Sequence, residues 1–174
     1  MEAERGNDFW TPDLQHWDNL QCEPHVRESR AAIEVETSLW DVRRAVAAGV
    51  SLSFTIKDED LDALKRWINA TGKPLYIIQV FFDQAHVLPF RTLLRLIDEG
   101  AIEPRIDRQT NKATYYVPLE RGVLLGDIPT PDVEGRIFIA PNGSVTAYGR
   151  LVGSEIRPAS PEIAAAIMAG ELVT

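Results

Sequence analysis

Along residues 30–38 apolar and polar positions alternate with period two, as on a strand whose neighbouring side chains point to opposite faces. Ile33, Val35 and Thr37 fall on one face, Glu34 and Glu36 on the other. Ser38 is placed to cap a short helix through Ala48, closed by Gly49, with Leu39, Val42 and Val46 on one face. Residues 51–56 alternate again and predict a half-buried strand beside the acidic one. Asp58 then caps a helix whose Leu61, Leu64, Trp67 and Ile68 recur at helical spacing, with Gly72 as its stop. Residues 75–82 are apolar at nearly every position, which a strand tolerates when both faces are covered, and so predict a central strand parallel to a neighbour. A helix is expected over 89–99, with Phe90, Leu93, Leu94 and Ile97 on one face and Pro89 in its first turn. Farther on come a strand at 114–117, a hairpin over 136–148 turning at Asn142-Gly143, and a helix from Ser160-Pro161 to Gly170.

This order predicts an α/β fold: a mixed central sheet flanked by helices, with a small β-rich C-terminal extension. The 174 residues, 45% hydrophobic and 25% charged, fit one domain with a sizeable core. Its core would lie at about residues 10–100, its β-rich tail and terminal helix at about 101–174, after a polar lead-in over residues 1–9. Cys22 is the single cysteine, which excludes an internal disulfide and points to a reducing, cytoplasmic setting. No run approaches the ~18 consecutive apolar residues of a membrane span.

The candidate chemistry is acidic. Glu34 and Glu36 share one strand face about 7 Å apart, from the ~3.3 Å rise per residue. If Asp13, in the pair Pro12-Asp13, lies on a neighbouring strand, three carboxylates converge beside the carbonyl of Val35. That all-oxygen set suits a hard cation such as Mg²⁺, with Mn²⁺ as a substitute, and is a usual device for cutting phosphodiesters. Against it stands the net charge of −8, since phosphate binding calls for clustered positive charge. Arg91, Arg95, Arg105, Arg108 and Lys112 form one basic stretch that could face a phosphate backbone or simply be solvated. The histidines lack zinc spacing, and neither a Gly-x-Ser-x-Gly turn nor a Gly-x-x-x-x-Gly-Lys-Ser/Thr loop occurs. Trp10, Trp17, Trp40, Trp67, Tyr115 and Tyr116 could stack on bases or fill the core.

Pro-Asp, then Glu-x-Glu on a strand, then strand, helix, apolar strand and helix resembles the core of the PD-(D/E)xK nuclease superfamily over roughly residues 10–99. The run from SLSFTIKDEDLDALKRW to KPLYIIQVFFDQAHVLPF is similar to the catalytic part of AccI-like type II restriction endonucleases. The resemblance implies Mg²⁺-dependent cleavage of double-stranded DNA by a homodimer, with Asp13 and Glu34 as metal ligands. Glu36 stands where the superfamily has its lysine and would act as a further ligand or as general base. Lys57, just past the neighbouring strand, is the nearest replacement for that lysine. AccI-like proteins are longer, so the resemblance also implies a truncation, a subunit or a compact relative. The alternative is a non-catalytic domain on the same scaffold that binds a protein or nucleic acid, which the missing lysine and acidic charge favour.

Overall fold

The protein is described by a computed structural model over residues 29–38, 40–108, 110–129, 132–139, 145–152 and 156–172. Ten strands and four helices follow in the order β1 (Ala32–Thr37), α1 (Val42–Ala47), β2 (Ser53–Lys57), α2 (Asp58–Thr71), β3 (Leu75–Val80), β4 (Gln84–Pro89), α3 (Phe90–Asp98), β5 (Arg105–Ile106), β6 (Ala113–Pro118), β7 (Val123–Asp127), β8 (Asp132–Ile139), β9 (Val145–Val152), β10 (Arg157–Pro158) and α4 (Pro161–Ala169). The main sheet is mixed, in the order β1-β3-β4-β7-β10; only the β1–β3 pair is parallel. A second, antiparallel sheet runs β2-β6-β5, and β8 pairs with β9. This is the expected α/β class. Of the β-rich extension, β7 and β10 complete the main sheet.

The apolar strand lies inside that sheet, as its composition predicts. Leu75 and Ile77 face a core built with Phe54, Ile56, Leu61, Leu64, Trp67, Phe90 and Leu93, while Tyr76 and Ile78 face a second cluster with Val87, Ile167 and Leu172. Both faces are covered, so alternation disappears from the sequence.

Several expectations are corrected. Strand β2 does not lie beside the acidic strand in a ladder; it pairs with β6. The edge of β1 is taken by β3 along its whole length, and the bonds from Ala32 N–H to Pro74 O and from Ser38 N–H to Val80 O extend that ladder at both ends. Ser38 is thereby kept out of the helix, and Asp41 caps α1 by accepting from Arg44 N–H at 2.8 Å. The buried face of this short helix is Val42 and Ala45, while Val46 is 68% exposed; Leu39 lies outside the described residues. Asp58 is the first residue of α2 rather than its cap, so Asp58, Glu59 and Asp60 place negative charge on its first turn. In α3 the buried face is Phe90, Leu93 and Leu96, with Leu94 and Ile97 at the margin of the core, and Pro89 ends β4 at the cap position.

Strands β4, β5, β7 and β10 are additions. The hairpin is found with Ile139 opposite Val145, its Asn142-Gly143 turn lying outside the described residues. Helix α4 starts after Ser160, whose hydroxyl accepts from Glu162 N–H, and stops at Gly170 with φ +76°. Among the described residues no helix is long and apolar enough to cross a membrane.

Candidate active site

Strand β1 is inside out. Ile33 and Val35 are 43% and 54% exposed, whereas Glu34 and Glu36 are half-buried on the opposite face. The register sets Glu34 opposite Ile77 and Glu36 opposite Gln79, so the acids share the face of β3 that lies over the larger core. A solvated acidic face is therefore not what the alternation encodes here.

Burial sets the electrostatics. Removal from water, then the charges of Glu36 and Asp60, push the Glu34 carboxyl from its ordinary 4.5 up to about 7, against the opposing pull of Lys57. Desolvation raises Glu36 too, with Lys57 lowering it and Asp60 raising it. Oε2 of Glu34 is buried and has no hydrogen-bond partner among the described residues. An orphaned buried acceptor costs about 1–3 kcal/mol, a penalty that a ligand can relieve.

Two neighbours complete the group. Lys57, the last residue of β2, is within electrostatic reach of both glutamates, and its Nζ lies 3.7 Å from Asp60 Oδ2. Asp60 reaches the pair from the first turn of α2. The acidic run Asp58 to Asp62 reads in the sequence as a plain helix start, and nothing in it singles out Asp60. Gln79 is also new: fully buried, it accepts from Thr55 N–H at 3.0 Å and from Thr55 Oγ1 at 3.2 Å. As the lone amide in an otherwise apolar strand, it was visible in the sequence.

Of the expected site residues, Glu34, Glu36 and Lys57 come together, while Asp13 lies outside the described residues. The side chain of Val35 is exposed on the opposite face. Among the described residues no three His, Cys, Asp or Glu side chains are grouped closely enough to hold a metal ion. The two carboxylates present do fit a hard cation: they are oxygen donors, partly dehydrated, one with an unmet acceptor.

The histidine, basic and aromatic candidates are mostly engaged in packing and local bonds. His86 packs edge-on against Phe54 and Phe81, contacts Gln84 Oε1 at 3.2 Å, and is held below its ordinary pKa by burial. His16 and His25 lie outside the described residues. In the basic stretch Arg91 donates to Leu172 O and Lys112 pairs with Glu59, whereas Arg95, Arg105 and Arg108 are exposed. Trp67 and Tyr115 fill the core, Tyr116 donates to Asp107, and Trp40 is 55% exposed; Trp10 and Trp17 lie outside the described residues.

A mixed sheet flanked by helices, with an acidic pair on its inner face, is compatible with a restriction-endonuclease-like fold. The model of the AccI restriction endonuclease family matches residues 24–114, just over half of the chain, and the chain belongs to that family. Membership implies a nuclease with DNA as its substrate. No curated protein and no solved structure matches the chain.

Proposed function

We propose that the chain is a Mg²⁺-dependent endonuclease of the type II restriction class, cutting double-stranded DNA with Glu34, Glu36 and Asp13 as its carboxylates. The observation that carries this reading is the half-buried Glu34–Glu36 pair on the inner face of β1, with the unpartnered Oε2 of Glu34 and Lys57 alongside. The pattern resembles the PD-(D/E)xK superfamily with a glutamate in place of its lysine.

A bound Mg²⁺, for which Mn²⁺ would substitute, offsets the charge of the scissile phosphate and makes water a better nucleophile. Asp13, Glu34, Glu36 and the carbonyl of Val35 are the groups that would hold it. At neutral pH Glu34 is close to half protonated, so cation and proton compete for its oxygens. Glu36 would act either as a further ligand or as the general base that takes the proton of the attacking water. Lys57 carries the positive charge that Glu36 replaces, and its ammonium can stabilise negative charge developing on the phosphate. A symmetric DNA target calls for a two-fold symmetric protein, hence a homodimer.

The test is cleavage of a supercoiled plasmid pool with Mg²⁺, Mn²⁺ or chelator, comparing the wild type with folded Glu34→Ala. Metal-dependent cutting that disappears in the variant is expected. No cutting with either metal would remove the catalytic reading and leave a binding role.

A further inference from the structure

Gln79 has both halves of its amide defined by chemistry. Thr55 N–H is purely a donor, so the group it meets at 3.0 Å must be the amide oxygen, which also accepts from the Thr55 hydroxyl at 3.2 Å. Nε2 is thereby fixed on the other side, fully buried, with no hydrogen-bond partner among the described residues. The register puts Gln79 directly beside Glu36 and one pleat from Glu34, on the same face. An unmet donor and an unmet acceptor, Nε2 of Gln79 and Oε2 of Glu34, thus belong to residues on the same face of two paired strands, both atoms out of reach of water. Neither is open to water, so neither is placed to touch DNA itself.

From this we infer that Gln79 is a positioning residue: anchored by Thr55, its amide nitrogen is the donor that holds the inner side of the Glu34–Glu36 carboxylate pair in the cation-bound form. The inference rests on the metal-site reading above. A carboxylate that gives its outer lone pairs to a cation is oriented by hydrogen bonds to its remaining ones, and such outer partners affect affinity without touching the ion. A neutral amide suits this place. It supplies N–H bonds to an anionic pair without a charge that would repel the cation, which a lysine at the same position would do.

The test is Mn²⁺ binding to the full chain without DNA, measured by isothermal titration calorimetry on the wild type, Gln79→Met, Thr55→Val and Glu34→Ala, each also melted without metal. Gln79→Met keeps length and volume and removes the donor; the expected result is Mn²⁺ affinity weakened about 10- to 100-fold, the usual effect of losing such an outer partner, with the metal-free melting temperature within a few degrees of wild type. Thr55→Val removes the hydroxyl anchor but keeps the backbone bond, and is expected to weaken Mn²⁺ several-fold. If Gln79→Met does not fold, Thr55→Val decides: weaker binding supports the inference and unchanged binding overturns it. Binding abolished by Glu34→Ala but unaltered by Gln79→Met overturns the role of Gln79 alone. A wild type that binds no Mn²⁺ overturns the metal-site reading and the inference with it.

Discussion

Replacing Glu34 by glutamine should stabilise the protein at high pH while removing its activity. The carboxyl has an ordinary pKa of 4.5 in the unfolded chain and about 7 in the fold. Between those values the folded state binds more protons than the unfolded one, so the contribution of Glu34 is fully present below 4.5 and is lost as pH rises through 7. At about 1.36 kcal/mol per pH unit the full span is about 3 kcal/mol, and partial exposure reduces it to about 1–3 kcal/mol. Glutamine has the same shape and no charge to bury, so its stability lacks this fall.

The assay is urea unfolding of wild type and Glu34→Gln at pH 5 and pH 8 in chelator. At pH 5 the two should lie close together. At pH 8 the variant should be more stable by about 1–3 kcal/mol, equivalent to roughly 3–10 °C in melting temperature for a chain of this size. Taking the difference between the proteins cancels the titration of groups common to both. Parallel stability profiles from pH 5 to pH 8 would refute the reasoning, because they would mean that the carboxyl is no more dehydrated folded than unfolded. Gain of stability on loss of a charged residue is the signature of a site kept for function at the expense of the fold.

Two structural predictions accompany it. Asp83 is buried and accepts from Val42 N–H at 2.6 Å and Arg43 N–H at 3.1 Å, so Asp83→Ala should leave both donors at the start of α1 unmet and lower stability by about 1–3 kcal/mol in thermal melts; an unchanged melt would show that Asp41 alone suffices as cap. At Gly126 a Cβ would collide with Arg157 O, a backbone atom of the paired strand, so Gly126→Ala should detach β10, costing about 1–3 kcal/mol and the amide-exchange protection of Ala159, whose N–H bonds Leu125 O; retained protection would refute it.

Local chemistry made most elements legible. Ser160-Pro161 and Gly170 bound α4, Gly72 with φ +66° stops α2, and the run at 75–80, apolar except for Gln79, became a strand covered on both faces. What failed was pairing and competition between neighbours. Ser38 is a good cap by type, yet its N–H is engaged by Val80 O, and a capping bond from Asp41 starts the helix later. Strand β4 was hidden because Pro89 reads as a helix start while also closing a strand. At the site, Glu34, Glu36 and Lys57 were legible from alternation and proximity in sequence. Asp60 was not, because an acid on a first helical turn has an ordinary explanation until α2 is seen to start beside the acidic face.

The alternation of β1 is symmetric in sequence: it separates two sets of side chains without saying which set turns inward. Apolar burial alone would turn Ile33 and Val35 in and the glutamates out. The opposite holds, because the β1–β3 register ties Glu36 to Gln79 and Glu34 to Ile77, while Ala32 on the acidic side packs on the core. A strand held this way carries a penalty in the absence of a counter-charge, visible as the raised Glu34 pKa and its unmet oxygen. The same arrangement bears on the net charge of −8, the main argument against a DNA substrate. Two of the acidic residues behind that charge form a partly dehydrated pair, and on the proposed reading a cation held there would itself be the positive group that a phosphate meets. An acidic chain would in that case be no bar to a DNA substrate, and a pair that takes up no metal would restore the objection.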